Sequence, residues 1–419
     1  FDFNQTRLFT TQGNPFSVDN AFSPDDKLLS FFGRANYDYK GKYLLSVAFR
    51  ADGSSKFDVG NKWGYFPSVC GAWTIIQEDF MMGTKSWLSD LKLRASYGES
   101  GNNNILTGQI QQAYTNSTTG WINGANNFWS TGKTLYNPDL KWETTVSRNI
   151  GLDFGLFNNK VTATADVYLN NTKDLLILYP ITGIGYENQF RNIGETENKG
   201  LEFGVNYRAI QSKNFDLGFN ANISFNRNKV VSLGAIENIV GVSNWASTAI
   251  GEDYRVLVGR PLGQIYGYRN AGRYEVSDFS GVNGSTWTLN PGVPSASSVV
   301  GNIRPGQHKL VDINGDGIVN TSDRTIIGNA LPKHTGGFSL NGRVFNFDFA
   351  AYFNWSYGND VYNANKIEYT STANTGYRNL ISQMASGNRW TNLRADGTIS
   401  NDPAELTAMN ANTNMWSPY

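Results

Sequence analysis

Residues 149–171 read N-I-G-L-D-F-G-L-F-N-N-K-V-T-A-T-A-D-V-Y-L-N-N, and their alternation restricts the fold more than any other feature of the chain. Before the connection, Ile150, Leu152, Phe154 and Leu156 alternate with Asn149, Gly151, Asp153 and Gly155. After it, Val161, Ala163, Ala165, Val167 and Leu169 alternate with Thr162, Thr164, Asp166, Tyr168 and Asn170. A period of two puts each set on one face of a strand. Between the runs lie Phe157, Asn158, Asn159 and Lys160, and Asn tolerates the left-handed backbone of a tight turn. This is a β-hairpin with one apolar and one polar face. What remains open at this point is the solvent that each face meets.

The same pattern recurs along the chain. A hairpin pairs Phe31, Gly33, Ala35 and Tyr37 with Tyr43, Leu45, Val47 and Phe49 across a turn at Lys40 and Gly41. Strands are expected over 63–76 and 91–98, then over 142–156 and 161–171. Another hairpin places Leu201, Phe203, Val205 and Tyr207 against Phe215, Leu217, Phe219, Ala221 and Ile223, and a last one joins Phe338, Leu340 and Val344 to Phe347, Phe349, Ala351 and Phe353. Two short helices are expected near the end, over 379–386 and after Asp402, an N-cap residue followed by Pro403. The sum is about ten strands, of the length that tilted transmembrane strands need. Short and long connections alternate: turns after Tyr39, Leu156, Ile210 and Val344, and long segments over about 101–140, 173–198 and 228–335. Short turns on one side and long loops on the other mark an outer-membrane barrel. The expected fold class is therefore all-β, a transmembrane antiparallel β-barrel portion over 28–357, its apolar face in lipid and its polar face toward a lumen.

Composition agrees. Only 17% of the residues are charged, which is low for a soluble protein, while 14% are aromatic. The formal net charge is zero, so nothing points to nucleic acid. The single cysteine, Cys70, excludes an internal disulfide framework and a Cys-based zinc site. No apolar run reaches the ~18 residues of a membrane helix. With the short turns placed in the periplasm, residues 1–27 and 358–419 both become extracellular segments, and the outermost strands would expose unpaired edges to lipid. The expectation is an interior portion of a larger barrel.

Several strings resemble the SusC/RagA-like family of TonB-dependent outer-membrane transporters. They are R-A-D-G-S-S-K-F (Arg50 to Phe57), W-G-Y-F-P-S-V (Trp63 to Val69), W-L-S-D-L-K-L-R-A-S-Y-G (Trp87 to Gly98) and N-P-D-L-K-W-E-T-T (Asn137 to Thr145). N-I-G-E-T-E-N-K-G-L-E-F (Asn192 to Phe203), G-R-P-L-G-Q-I-Y-G-Y (Gly259 to Tyr268) and D-I-N-G-D-G-I-V-N-T-S-D-R-T-I-I-G-N (Asp312 to Asn329) follow in the family's order. The resemblance implies a barrel of roughly 22 strands, whose plug domain and closing strands are not recognisable in this sequence. It also implies import of an oligosaccharide or peptide, driven through TonB, with a SusD-like surface lipoprotein as a lid. The implied location is the outer membrane of a Gram-negative bacterium.

One string carries explicit site chemistry. Asp312, Asn314 and Asp316 offer oxygens at positions 1, 3 and 5 of a loop, Gly317 allows a sharp turn, Ile318 offers a carbonyl, and Asp323 closes position 12. That is the spacing of an EF-hand-type calcium loop, with Asp in place of the usual Glu. Ca²⁺ pinning an outer loop is the expectation; an Asx/Gly-rich turn without metal is the alternative. Trp121, Trp129, Trp245 and Trp287 are candidate ligand-stacking residues, and packing of loops is the competing role. No Ser–His–acid or paired-carboxylate pattern supports catalysis, so no enzyme activity is expected. A self-contained porin-like barrel and a surface-exposed all-β adhesin are the alternatives to a transporter.

Overall fold

The computed structural model describes residues 26–117, 128–181, 185–245, 251–372 and 379–418. The chain divides into two compact units: Phe1–Glu237 with Val258–Arg260 and Lys333–Tyr357, and Asn238–Leu257 with Pro261–Pro332 and Gly358–Tyr419.

The first unit is built on ten antiparallel strands that neighbour one another in chain order. They are Leu28–Tyr39, Tyr43–Ser54, Trp63–Thr74, Leu88–Asn102, Glu143–Leu156, Val161–Pro180, Asn188–Gln211, Phe215–Leu233, His334–Val344 and Phe347–Tyr357. Their register carries the period of two across the whole wall. One row runs through Tyr43, Trp73, Leu93, Leu152, Ala165, Phe203, Ile223, Gly336 and Trp355 and is apolar. The row one residue along runs through Arg94, Gly151, Asp166, Glu202, Ser224, Thr335 and Ser356 and is polar. No described layer covers the apolar face: Phe49, Phe203 and Phe353 stay about half exposed, at 50%, 47% and 52%. An apolar surface this extensive is foreign to a water-soluble monomer and normal for a lipid-facing wall. Stacked aromatic pairs edge it, Phe31 with Trp63 and Phe49 with Tyr65, and Tyr43 with Tyr39 and Trp73.

The turns follow the sequence. Asn158 and Asn159 both take positive φ, 55° and 59°, and the Lys160 N–H donates to the Phe157 carbonyl. Elsewhere the strands outrun the alternation. Residues 173–198, expected as a loop, are mostly ladder: Phe190 pairs with Leu178 and Arg191 with Ile177, leaving only 181–187 as connection. The cause is L-L-I-L-Y, a continuous apolar run in which a period of two cannot be seen. The segment 101–140 likewise contains a small hairpin, Tyr114–Ser117 with Phe128–Thr131.

The second unit gathers what alternation marks as separate outer loops. A four-stranded sheet joins Asn238–Gly241, Tyr254–Leu257, Gln264–Gly267 and Thr325–Asn329. Its own core holds Tyr274, Phe279, Ala296 and Val319. The expected helix after Asp402 is present as Pro403–Asn410, with the Asp402 side chain accepting the Glu405 N–H, while the expected 379–386 helix shrinks to one 3₁₀ turn, Ser382–Met384. Arg394 grips Glu405 through two 2.7 Å hydrogen bonds, and with Ser400 it holds that carboxyl down at about 2.

Gly200 shows how tightly the wall is packed. A Cβ there would sit 2.5 Å from the Tyr168 ring and 2.4 Å from the Phe225 carbonyl oxygen, whereas one at Gly33 would meet nothing within 4 Å. Gly200→Ala is therefore expected to destabilise the folded protein by about 1–3 kcal/mol, with Gly33→Ala near neutral. Urea unfolding from liposomes measures both, and Tyr168→Ala placed beside Gly200→Ala should recover only part of the loss.

Candidate functional site

The polar face of the wall is a hydrogen-bonding surface. Arg94 holds Asp153 through Nε and Nη2, at 2.9 and 2.8 Å, and reaches Asp166 through Nη2 at 3.1 Å. Gly151 is what lets this happen, since a Cβ there would strike both Arg94 and Asp166. Farther along, Asn198 Oδ1 accepts from the Asn226 and Asn228 amides, and the Tyr168 hydroxyl donates to Asn226 Oδ1. The Thr145 and Thr172 hydroxyls meet at 2.9 Å. Thr145, Thr172, Tyr168, Asn198 and Asn226, with Asn149, Asn170 and Glu202, line a shallow depression of about 560 Å³. Its lining is mainly neutral amide and hydroxyl groups, which suit a polar solute that is handed on rather than gripped.

At the end of the wall away from the short turns, the sequence motifs turn out to be clasps. Pro67 has no N–H to give, and the fourth strand pairs with the third only from Ser68 onward. Phe66 and Trp142 occupy the region beyond, their ring centroids 5.6 Å apart, and the Trp142 Nε1–H donates to the Lys62 carbonyl at 2.9 Å. Phe57 lies tilted against the same indole, also 5.6 Å from Trp142, and Ile105 and Leu140 close the cluster. Asp52, buried beneath, accepts from Arg50 Nε at 2.9 and 2.6 Å. D-G-S-S-K-F and L-K-W therefore meet in space although about 80 residues separate them. A cavity of about 730 Å³ beside this cluster is lined by Phe32, Arg34, Arg50, Glu99, Phe66 and Trp142. Alternation alone does not single these residues out; the motif resemblance was the available signal.

The Asp312 loop lies in the second unit. Asp312 accepts the N–H groups of Gly315 and Gly317 at 2.7 Å each, Asn314 accepts from Asp316, and Asp316 accepts from Ile318. Gly317 turns with φ of 83°. Asp323 is fully buried and accepts from Ile313, Asn314 and Asn320, and these backbone donors, Asn320 first, hold its carboxyl below the usual range. The five residues thus share one compact loop. Among the described residues, no three His, Cys, Asp or Glu side chains are gathered at metal-binding distance.

Of the four tryptophans, Trp245 and Trp287 have described side chains, and these two are not in contact. Trp121 lies outside the described residues, as does the side chain of Trp129, whose backbone is in the Phe128–Thr131 strand. Trp287 packs half-buried against Phe279 at 5.3 Å, a core role. Trp245 is exposed and contacts Tyr254 and Tyr362, at 5.8 and 5.6 Å. Alternation gives no hint of a cavity of about 750 Å³ in the same unit, lined by His308, Asp360, Tyr362, Lys366 and Trp416 among others. The His308 and Trp416 rings lie 4.4 Å apart, and burial holds the His308 imidazole below its usual range. Tyr362 is pushed up to about 12, mainly by burial.

Comparison with known proteins places this geometry. The family model described as TonB dependent receptor-like, beta-barrel, matches residues 1–314. TonB-dependent receptor P26 of Formosa agariphila is 36% identical over 367 residues, covering 84% of this chain and 34% of that protein. TonB-dependent receptor SusC of Bacteroides thetaiotaomicron is 30% identical over 379 residues, covering 88% of this chain and 34% of that protein. A solved structure of the RagAB peptide transporter superposes with a TM-score of 0.61 at 28% identity, over 78% of this chain and 33% of that one. The chain spans about a third of the length of the curated relatives it matches.

Arg94 neutralises two carboxylates that share the polar face and remain about one-fifth exposed, at 22% and 21%. Arg94→Met should cost about 1–2 kcal/mol, because it strands both while water still reaches them. Adding Asp153→Asn and Asp166→Asn should return most of it, read as the midpoint of urea unfolding.

Proposed function

The chain belongs to the TonB-dependent receptor-like β-barrel family, and on that premise we propose that it forms part of the wall of a nutrient importer in the outer membrane. The observation that carries this reading is the wall itself. One face is apolar and covered by no described layer, the opposite face is mainly polar, and both follow from one register. Import would be driven through TonB, and the amide-rich polar face fits an oligosaccharide or peptide better than a metal chelate. The description of RagAB as a peptide transporter favours peptide. A SusD-like lipoprotein would cap the long-connection end, docking on the extracellular segments 101–140, 228–335 and 358–419. Isolation of the intact protein from its native outer membrane tests this: a surface lipoprotein in equal amount, with bound peptide or saccharide found by mass spectrometry, is the expected result. A barrel that runs alone and carries no ligand would return the porin-like alternative.

The Asp312 loop supports a second, local element of the proposal, a bound Ca²⁺. Asp312, Asn314 and Asp316 would offer side-chain oxygens, Ile318 its carbonyl and Asp323 a carboxylate. The donors are hard oxygens, and each carboxylate oxygen that accepts an N–H keeps lone-pair capacity. The ion would supply no reaction chemistry; it would pin a loop already folded by its backbone N–H groups. Chelator should then speed proteolysis within 312–323 several-fold, and Asp312→Ala with Asp316→Ala should reproduce that rate without chelator. Equal cleavage with and without chelator would leave the Asx turns as the whole explanation of the motif.

A further inference from the structure

The connection between the third and fourth wall strands is not a simple turn. Residues 75–84 form two successive 3₁₀ helices, Ile75–Gln77 and Asp79–Thr84. The segment starts by folding against the apolar side of the wall. There the Glu78 carboxylate accepts from Lys42 Nζ at 2.9 Å, the Tyr43 hydroxyl at 2.7 Å and Trp73 Nε1 at 3.0 Å. Tyr43 and Trp73 belong to the apolar row and stack on each other, with Tyr39 continuing the band. Ile76 and Leu88, near the two ends of the connection, are buried, and Leu88 stands opposite Leu156 in the register. Three large side chains between and beside them are not: Phe80 is 69% exposed, Met82 62% and Trp87 48%. A water-facing connection gains nothing from such residues, and the wall does not use them for packing.

We propose that residues 75–87 are an interfacial anchor, with Phe80, Met82 and Trp87 set into the headgroup–acyl boundary of the phospholipid leaflet met by the short turns. The inference rests on the reading of the wall as membrane-spanning and extends its lipid contact below the strands. Phospholipid is the occupant because the exposed side chains continue the aromatic band that Glu78 ties them to. In this position the segment would limit sliding and tilting of the third and fourth strands along the membrane normal, as amphipathic interfacial elements do.

The test uses the intact protein with Cys70→Ser, carrying a nitroxide at Met82→Cys, in liposomes of phosphatidylethanolamine and phosphatidylglycerol. Val47→Cys, on the apolar face, marks the hydrocarbon, and Val59→Cys, 79% exposed in the connection between the second and third strands, marks water. The ratio of collision with oxygen to collision with a nickel chelate should be several-fold higher at position 82 than at 59, and below that at 47. A ratio at 82 equal to that at 59 overturns the anchor while leaving the wall intact. Shielding of 82 from both reagents overturns it in favour of a covering protein. If 47 also behaves like 59, the membrane reading fails and the anchor with it.

Discussion

In lipid a backbone N–H or carbonyl has no water to turn to, so a spanning strand must find all its partners on its neighbours. The antiparallel ladder meets that demand for its eight inner strands, each paired on both sides, and most of what is distinctive about the chain follows from it. Once Tyr43 is opposite Trp73 and Leu152 opposite Ala165, every alternate residue is committed to one face. The apolar row and the polar row are two readings of one register, and a one-residue slip would exchange them. The places where the ladder is interrupted are therefore the places where side chains must take over. Pro67 is such a place. Pairing to the fourth strand starts after it, and the indole of Trp142 donates to the Lys62 carbonyl in that region while Phe57 and Phe66 fill the space.

This separates what can be read in the sequence from what cannot. The ten strands were legible because each carries the period of two, and the turn at Asn158 and Asn159 because Asn favours the left-handed backbone found there. The far part of the sixth strand, Val161–Pro180, was not, since L-L-I-L-Y hides the period, nor was the first part of the seventh, Asn188–Gln211, where N-Q-F-R-N-I-G-E-T-E-N is too polar to show one. The core of the second unit was also out of reach. Tyr274, Phe279, Ala296 and Val319 lie at spacings of no fixed period and are joined only by tertiary packing. Site residues divide similarly. Asp312, Asn314, Asp316 and Asp323 share a loop because their spacing is a local property of the chain. Trp287 was ambiguous in sequence because an isolated tryptophan has no local rule, and its place against Phe279 is set by a hairpin and a core that the sequence does not announce.

The two ends of the wall are held together by different physics, and that difference bears on where side chains can vary. At the short-turn rim the hub is a carboxylate: Lys42, Tyr43 and Trp73 all donate to Glu78. At the other rim an aromatic cluster takes that place, with the Trp142 indole donating to the Lys62 carbonyl and the Asn192 amide donating to the Lys141 and Asp174 carbonyls. The residues that leave the wall there enter a unit with its own buried core, its own sheet and its own charge pairs, such as Arg394 with Glu405. Such a unit can change its lining, including His308, Tyr362 and Trp416, without altering any pairing in the ladder. Wall positions such as Gly151 and Gly200 have no such freedom, because they are fixed by contacts shorter than an added methyl group would allow. Side-chain variation in a protein built this way is therefore open to the loop unit, while tightly packed wall positions hold theirs fixed.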